Sequence, residues 1–431
     1  MKKLNTSPIS GMQEFLPAQQ VIFNKFKNTI REVYMHHGFQ SIETPTIDRA
    51  EVLLAKAGGD TEKQIYKVVK TAEASEGADQ ALRFDHTVPL ARYVVEHETD
   101  LAFPFRVTQI GRNFRGERAQ KGRFREFYQC DIDIIGRGKL PLAYDAEIIA
   151  TYFDALTNLS LPDVIIRISN RKILSGLLEG LDLTEQSAEI FNIIDHAEKV
   201  DPEVTRSSLS ELGIPEETTN KILAFVLISG NSQEAKDQLD ALEISNKTFR
   251  QGVDELTYVL DLLEKQGLKN IAIADMLIVR GLDYYTGTVF EAILKDYKYI
   301  GAIGGGGRYE NLTGYFSDQA FPGVGGSIGL SRLFYVLNEN GLLESEIKNP
   351  IDVAIVPLSE NEYEFSFEVA QKLRDSGQSV DIIFAGKKLG DKMSHAAKIA
   401  QQAIVIGEDE VMTQKMTIKN LETGEKTSLS I

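Results

Sequence analysis

The sequence predicts an α+β protein: a strand-rich core interrupted by a helical segment and followed by a small α/β domain. Three observations carry this. A long β-hairpin pattern spans "FPFRVTQIGRNFR" and "RFREFYQCDIDIIG". Amphipathic helix patterns fill residues 166–270. From residue 350, buried strand and helix patterns alternate, which implies a largely parallel sheet. The chain has 431 residues, room for about three domains at roughly 150 residues each. Its 42% hydrophobic and 26% charged composition is that of a globular protein able to bury a large core.

Residues 1–165 open with a helix over 18–37, where Phe23, Phe26, Ile30 and Val33 recur at helical spacing and Gly38 suits the C-terminal end. "FQSIETPTI" reads as a strand broken by Pro45. "ALRFDHTVPLARYVVEH" starts extended and turns helical after Pro89, read as a first-turn proline. The hairpin follows, its loop "GERAQKG" bounded by Gly116 and Gly122. In the 166–270 segment, "FRQGVDELTYVLDLLEKQG" aligns Val253, Leu256, Val259, Leu260 and Leu263 in one apolar stripe. Strand character returns over 271–340 with "IAIADMLIV" and "YYTGTVFEAILK", and "GVGGSIGLSRLFYVL" reads as a Gly-rich turn into a helix. Residues 350–431 read strand, helix, strand, helix, strand and a closing hairpin.

Charge narrows the function. The formal net charge of -16 argues against general adhesion to nucleic acid or anionic membrane. A polyanion must be met by a local patch, and from Arg106 to Arg125 seven Arg or Lys face one Glu. A solvated basic hairpin would show the same charge. The single cysteine, Cys130, allows no intrachain disulfide, which fits a reducing compartment. The six histidines lack metal-ligand spacing, so no protein metal site is expected. "MKKLNTSPISGM" is basic with no apolar stretch after it, so no signal peptide is expected, and no run of about 18 apolar residues suggests a membrane span. The expected location is cytoplasmic.

Alternate residues of a strand share a face. One face of the second hairpin strand carries Arg125, Phe127, Gln129, Asp131 and Asp133; the other carries Phe124, Glu126, Tyr128, Cys130, Ile132 and Ile134 and is the natural core face. The first row suits a solvent face. It equally suits a ligand with phosphates, then a planar base, then a small polar group. "RGLDYYTGTVFEA" places Arg280 after an apolar strand, where a guanidinium needs an anionic partner, with Tyr284 and Tyr285 behind it. A salt-bridged structural Arg among core tyrosines would look the same. "GGGG" at 304–307 and "GVGGSIG" at 323–329 fit neither phosphate-loop spacing, so they serve close backbone approach instead.

These stretches resemble class II aminoacyl-tRNA synthetases. "GFQSIETPTI", "FRGERAQKGRFREFYQCDID" and "GVGGSIGLSRL" are similar to that class's three motifs, and "RGLDYYTGTVFE" and "GGGGRYENL" to the segments peculiar to the histidyl-tRNA synthetase family. The resemblance covers nearly the whole chain. It implies a class II catalytic domain with a mixed, mainly antiparallel sheet flanked by helices, an inserted helical domain and an anticodon-binding α/β domain. It implies activation of L-histidine by ATP with Mg2+, transfer to tRNA(His), and a homodimer. It implies catalytic roles at the α-phosphate for Arg115 and Arg280, Arg115 also holding the histidine carboxylate. Phe127 would stack on adenine, with Glu117 beside it and Arg123 and Arg332 on the outer phosphates. Histidine would be bound by Asp85, His86, Thr87, Gln129, Asp133, Tyr284, Tyr285 and Tyr309. Gln120 and Lys121 would meet the tRNA acceptor end, a salt-dependent contact.

Asp85 and Asp133 stand where many bacterial members carry Glu, as in the family's other branch, and Ser331 replaces a more usual acid. A regulatory subunit of ATP phosphoribosyltransferase built on the same core is the competing reading. Such paralogues typically lack the intact "RGLDYYTG" segment and the C-terminal domain, and both are present here. An inactive RNA-binding module is opposed by the intact Arg115, Arg280 and Arg332, and a nucleotide-binding oxidoreductase by the spacing of the glycines.

Overall fold

A computed structural model describes residues 3–55, 60–70, 79–278, 285–310, 312–343, 349–386 and 388–430. The chain divides into two compact units: Met1–Gln13 with Phe26–Leu342, and Glu14–Lys25 with Leu343–Ile431. The larger unit is built on a nine-stranded sheet. Its strand order is Gln40–Ser41, Phe105–Phe114, Glu126–Ile135, Gly323–Ile328, Gly304–Tyr309, Thr288–Leu294, Val164–Asn170, Ala272–Asp275 and Ser229–Gly230. Only Gln40–Ser41 beside Phe105–Phe114, and Val164–Asn170 beside Ala272–Asp275, pair in parallel. The sheet is therefore mixed and mainly antiparallel, as the resemblance to class II synthetases implies.

The hairpin forms where its alternation places it, Phe105–Phe114 against Glu126–Ile135. Cys130, Ile132 and Ile134 are fully buried on the face read as core, and burial pushes the Cys130 thiol pKa far up. Each of the two isoleucines contributes roughly 1.5–3 kcal/mol by leaving water. The opposite row is thereby turned toward the site.

Several local readings change. "FQSIETPTI" does not make one interrupted strand: Gln40–Ser41 joins the large sheet, while Ile47–Arg49 joins a separate three-stranded sheet with Gln80–Leu82 and Lys67–Val68. Pro45, which has no N–H to donate, lies between them. The helical segment starts later than its composition suggests, because Val164–Asn170 is a strand paired along its whole length with Thr288–Leu294. The glycines of 323–328 form a central strand rather than a turn. The helix read as starting after Pro89 begins earlier, at Thr87, with Pro89 inside its first turn as expected.

Six α-helices lie between residues 171 and 265. The longest, Lys247–Lys265, buries all five residues of its predicted stripe. Asn246 caps it by accepting from Phe249 N at 2.8 Å. The smaller unit carries a five-stranded sheet in the order Val380–Ile382, Ile351–Pro357, Ala400–Ile406, Lys415–Asn420, Lys426–Ser430. Its first three strands are parallel and the last two form the expected hairpin. Val353, Ile355, Val369, Ile404 and Ile406 form its core. Among the described residues, no helix is long and apolar enough to cross a membrane.

Candidate active site

The sheet's polar row lines a recess with an empty volume of about 370 Å³. In the register, Gly325 faces Asp133 and Ser327 faces Asp131 across the strand pair. Gly323 faces Tyr309 on the next strand. Neighbours along one strand thus meet side chains 196 and 198 positions away in sequence. Asp85, Thr87, Arg115, Gln129, Asp133, Tyr285 and Tyr309 all line the recess, joined by Asp131 and Ser327.

Asp133 anchors one end. Its Oδ1 accepts from Tyr309 Oη at 2.9 Å. Burial, and then the nearby Asp131 carboxylate, raise the Asp133 pKa well above its ordinary value. Burial likewise raises Asp85, although Val88 N–H donates to its Oδ1 at 3.0 Å and Arg115 opposes the shift. Three carboxyls converging in little water favour a ligand that brings positive charge and N–H donors.

The glycines explain how these side chains fit. A Cβ on Gly325 would lie 2.0 Å from Asp133 Oδ1, and one on Gly323 would lie 2.4 Å from the Tyr309 ring. The strand must be bare for the site to be filled from its neighbours.

Basic groups gather at the hairpin end. The Arg115 guanidinium lies over the Phe84 ring at 4.3 Å and the Phe127 ring at 5.1 Å, and its Nε donates to Phe84 O at 3.3 Å. Arg123 pairs with Glu117 at 3.6 Å. Arg332 donates from Nη2 to Ile300 O at 2.8 Å, while its buried Nε has no hydrogen-bond partner among the described residues. Burial and then the like charge of Arg123 lower the Arg332 pKa. A cationic side chain left with an orphan donor and a cationic neighbour is a place for an anion.

Residues 11–333 match the family model for histidyl-tRNA synthetase, and residues 352–431 match an anticodon-binding domain. The chain belongs to the histidyl-tRNA synthetase family. Its relatives include a histidine--tRNA ligase of Clostridium tetani, 44% identical over 436 residues covering 100% of this chain and 98% of the relative. Another, from Clostridium acetobutylicum, is 41% identical with 100% and 99% covered. Among solved structures, a histidyl-tRNA synthetase from Nostoc superposes with a TM-score of 0.88 at 38% identity, covering 99% of this chain and 97% of that one. A Bacillus halodurans structure described as an ATP phosphoribosyltransferase regulatory subunit/histidyl-tRNA synthetase has a TM-score of 0.78 at 23% identity, covering 94% of this chain and 99% of that one, and shares the fold.

Among the residues that the histidyl-tRNA synthetase resemblance singles out, the structure brings Asp85, Thr87, Arg115, Gln129, Asp133, Tyr285 and Tyr309 around one recess. It places Glu117, Arg123 and Arg332 near one another. His86 does not line the recess: its ring is buried behind it, with Nδ1 3.2 Å from Asp131 Oδ2. Backbone direction explains this, since His86 is the residue before the Thr87–Glu96 helix and Thr87 takes the facing position. Gln120 and Lys121 are exposed in the hairpin loop. Arg280 and Tyr284 lie outside the described residues. Asp131, Ser327 and Asn113 carried no assigned role in sequence. Asp131 shares the face of Gln129 and Asp133, which was the available signal; Ser327 and Asn113 gain meaning only from cross-strand register. Ser331, in place of an acid, accepts from Tyr128 N at 2.9 Å.

Proposed function

We propose that this chain is the enzyme that attaches histidine to tRNA(His). A carboxylate oxygen of L-histidine attacks the α-phosphorus of ATP, and pyrophosphate leaves. A hydroxyl of the terminal ribose of tRNA(His) then attacks the activated carbonyl, and AMP leaves. Neither step needs a protein nucleophile, so the side chains act by orientation and electrostatics.

The observation that carries this reading is the chemistry of the recess. Neutral imidazole offers one N–H donor and one acceptor nitrogen. Asp133, held by Tyr309, suits the N–H, and Tyr285 the other edge. Asp85, Thr87 and Gln129 suit the α-ammonium, and Arg115 the histidine carboxylate and α-phosphate. Apolar amino acids would leave these buried groups unpaired and be rejected. Phe127 is assigned to adenine with Glu117 beside it, and Arg123 and Arg332 to the outer phosphates, where the orphan Arg332 Nε supports an anion. Magnesium enters with ATP as part of the substrate. Gln120 and Lys121 are assigned to the tRNA acceptor end and the 352–431 domain to the anticodon. A homodimer in the cytoplasm, and the division into catalytic segments 1–165 and 271–340 around a 166–270 insertion, belong to the same proposal. The match of 352–431 to an anticodon-binding domain disfavours the regulatory-subunit reading.

Histidine-dependent exchange of pyrophosphate into ATP tests the proposal; folded protein without exchange would overturn it. Arg280→Ala is expected to slow adenylate formation by about 10²-fold or more, the loss of one donor to developing charge. A near-normal single-turnover rate would make Arg280 structural.

A further inference from the structure

In the wall of the recess, where Gln129, Asp131 and Ser327 lie, polar side chains from three strands form a hydrogen-bond chain with one sense. Asn113 Nδ2 donates to Gln129 Oε1 at 2.7 Å. Gln129 Nε2 donates to Ser327 Oγ at 2.7 Å. Ser327 Oγ donates to Asp131 Oδ1 at 2.5 Å. His86 Nδ1 closes on Asp131 Oδ2 at 3.2 Å, and the His86 carbonyl is held by Gln109 Nε2 at 3.3 Å.

The direction of the chain follows from its terminus. A carboxylate accepts only, so the single Ser327 hydroxyl proton must point at Asp131. Ser327 can then only accept from Gln129. That forces the Gln129 amide to turn its NH₂ toward Ser327 and its carbonyl oxygen the other way. Asn113 takes one lone pair of that oxygen and leaves the second free. An amide alone is symmetric in shape and could flip; a carboxylate two bonds away removes the choice.

We propose that Asp131 and Ser327, with His86 holding the carboxylate, are positioning residues that lock Gln129 with an acceptor available to the substrate's α-ammonium. Selectivity for a free α-amino group is set through this chain. With Asn at 131, the terminus can donate as well as accept. The hydroxyl can then reverse and the Gln129 amide can flip, which would point N–H donors at a cation. The inference rests on the amino acid reading of the recess given above. It also gives His86 a role its burial permits, behind the site rather than on the substrate.

The experiment uses the full chain and measures three quantities by pyrophosphate exchange: KM for L-histidine, KM for ATP, and the inhibition constant of imidazole-4-propionate, which keeps the ring and carboxylate but lacks the amino group. Wild-type protein without histidine-dependent exchange would refute the functional reading itself, a result distinguishable from any outcome for the variants. Asp131→Asn and Ser327→Ala are each expected to raise the histidine KM by about 10-fold or more, with the inhibitor constant and the ATP KM moving less than about 3-fold. Equal weakening of histidine and the des-amino inhibitor would make the chain merely structural and overturn the proposal. An effect of Asp131→Asn without one of Ser327→Ala would place Asp131 directly on the ammonium and overturn the relay. If Asp131→Asn fails to fold, Ser327→Ala, which leaves the carboxylate in place, decides alone.

Discussion

Asp133→Asn is expected to lower kcat/KM for histidine by about 10²-fold while stabilising the ligand-free protein at neutral pH, the first effect following from loss of a hydrogen bond to a charged acceptor. The two effects have one cause. Asp133 is a buried carboxyl whose pKa is raised by desolvation and by Asp131, against the help of the Tyr309 hydroxyl. Keeping it ionised in the empty site is costly, and binding of an N–H donor offsets that cost. Asparagine keeps the size and can still accept from Tyr309, but it carries no charge.

The pH dependence has a definite sign. In the unfolded chain the group titrates near its ordinary value, 3.8, and in the folded chain higher. Between those values the folded state holds the extra proton, so this group's contribution to stability falls as pH rises through that window. The variant should therefore melt higher than wild type above the folded pKa, and the difference should close as pH falls toward 3.8. Thermal melts across pH, with histidine and ATP KM values beside them, check both halves. A lower melting temperature at neutral pH, or equal losses for histidine and ATP, would show that Asp133 is a structural anchor.

Gly325→Ala is expected to reduce histidine activation at least as severely, by steric means. The added Cβ would meet Asp133 Oδ1 at 2.0 Å and the Ile132 carbonyl oxygen at 2.7 Å. Oδ1 is the atom that accepts from Tyr309. The carboxyl would have to swing away and abandon the tyrosine, and the carbonyl can retreat only by opening the pairing of 323–328 with 126–135. Overpacking of this kind costs about 1–3 kcal/mol in stability. Gly390→Ala is the control, since its Cβ would meet nothing within 4 Å. Thermal melts and exchange rates of the two variants make the comparison. A Gly325→Ala protein with wild-type activity would mean that the strand pair yields more easily than its hydrogen bonding implies.

Much of this site was legible along the chain, because strand alternation is a local property. The row Phe127, Gln129, Asp131, Asp133 follows from two-residue periodicity, and the burial of Cys130, Ile132 and Ile134 on the other side follows from the same count. The stripe of the 247–265 helix is equally local. A segment's own pattern misleads where its partner decides its state. Glycine-rich 323–328 has little strand propensity, yet it is central because both flanking strands pair with it and its neighbours' side chains need the room. Val164–Asn170 reads as the edge of a helical block until its pairing with Thr288–Leu294 is known.

By itself, then, the sequence determined the chemistry: a basic hairpin loop, a polar row ending in carboxylates, tyrosines near a run of glycines, and the family they resemble. Tertiary structure alone decided the company each group keeps. It set Tyr309 on Asp133 across 176 positions and Ser327 on Asp131 across 196, and it turned His86 behind the recess. The physical reason is that hydrogen-bond partnership and desolvation depend on spatial neighbours at about 3 Å. Register between distant strands supplies those neighbours, and no periodicity within one strand encodes it.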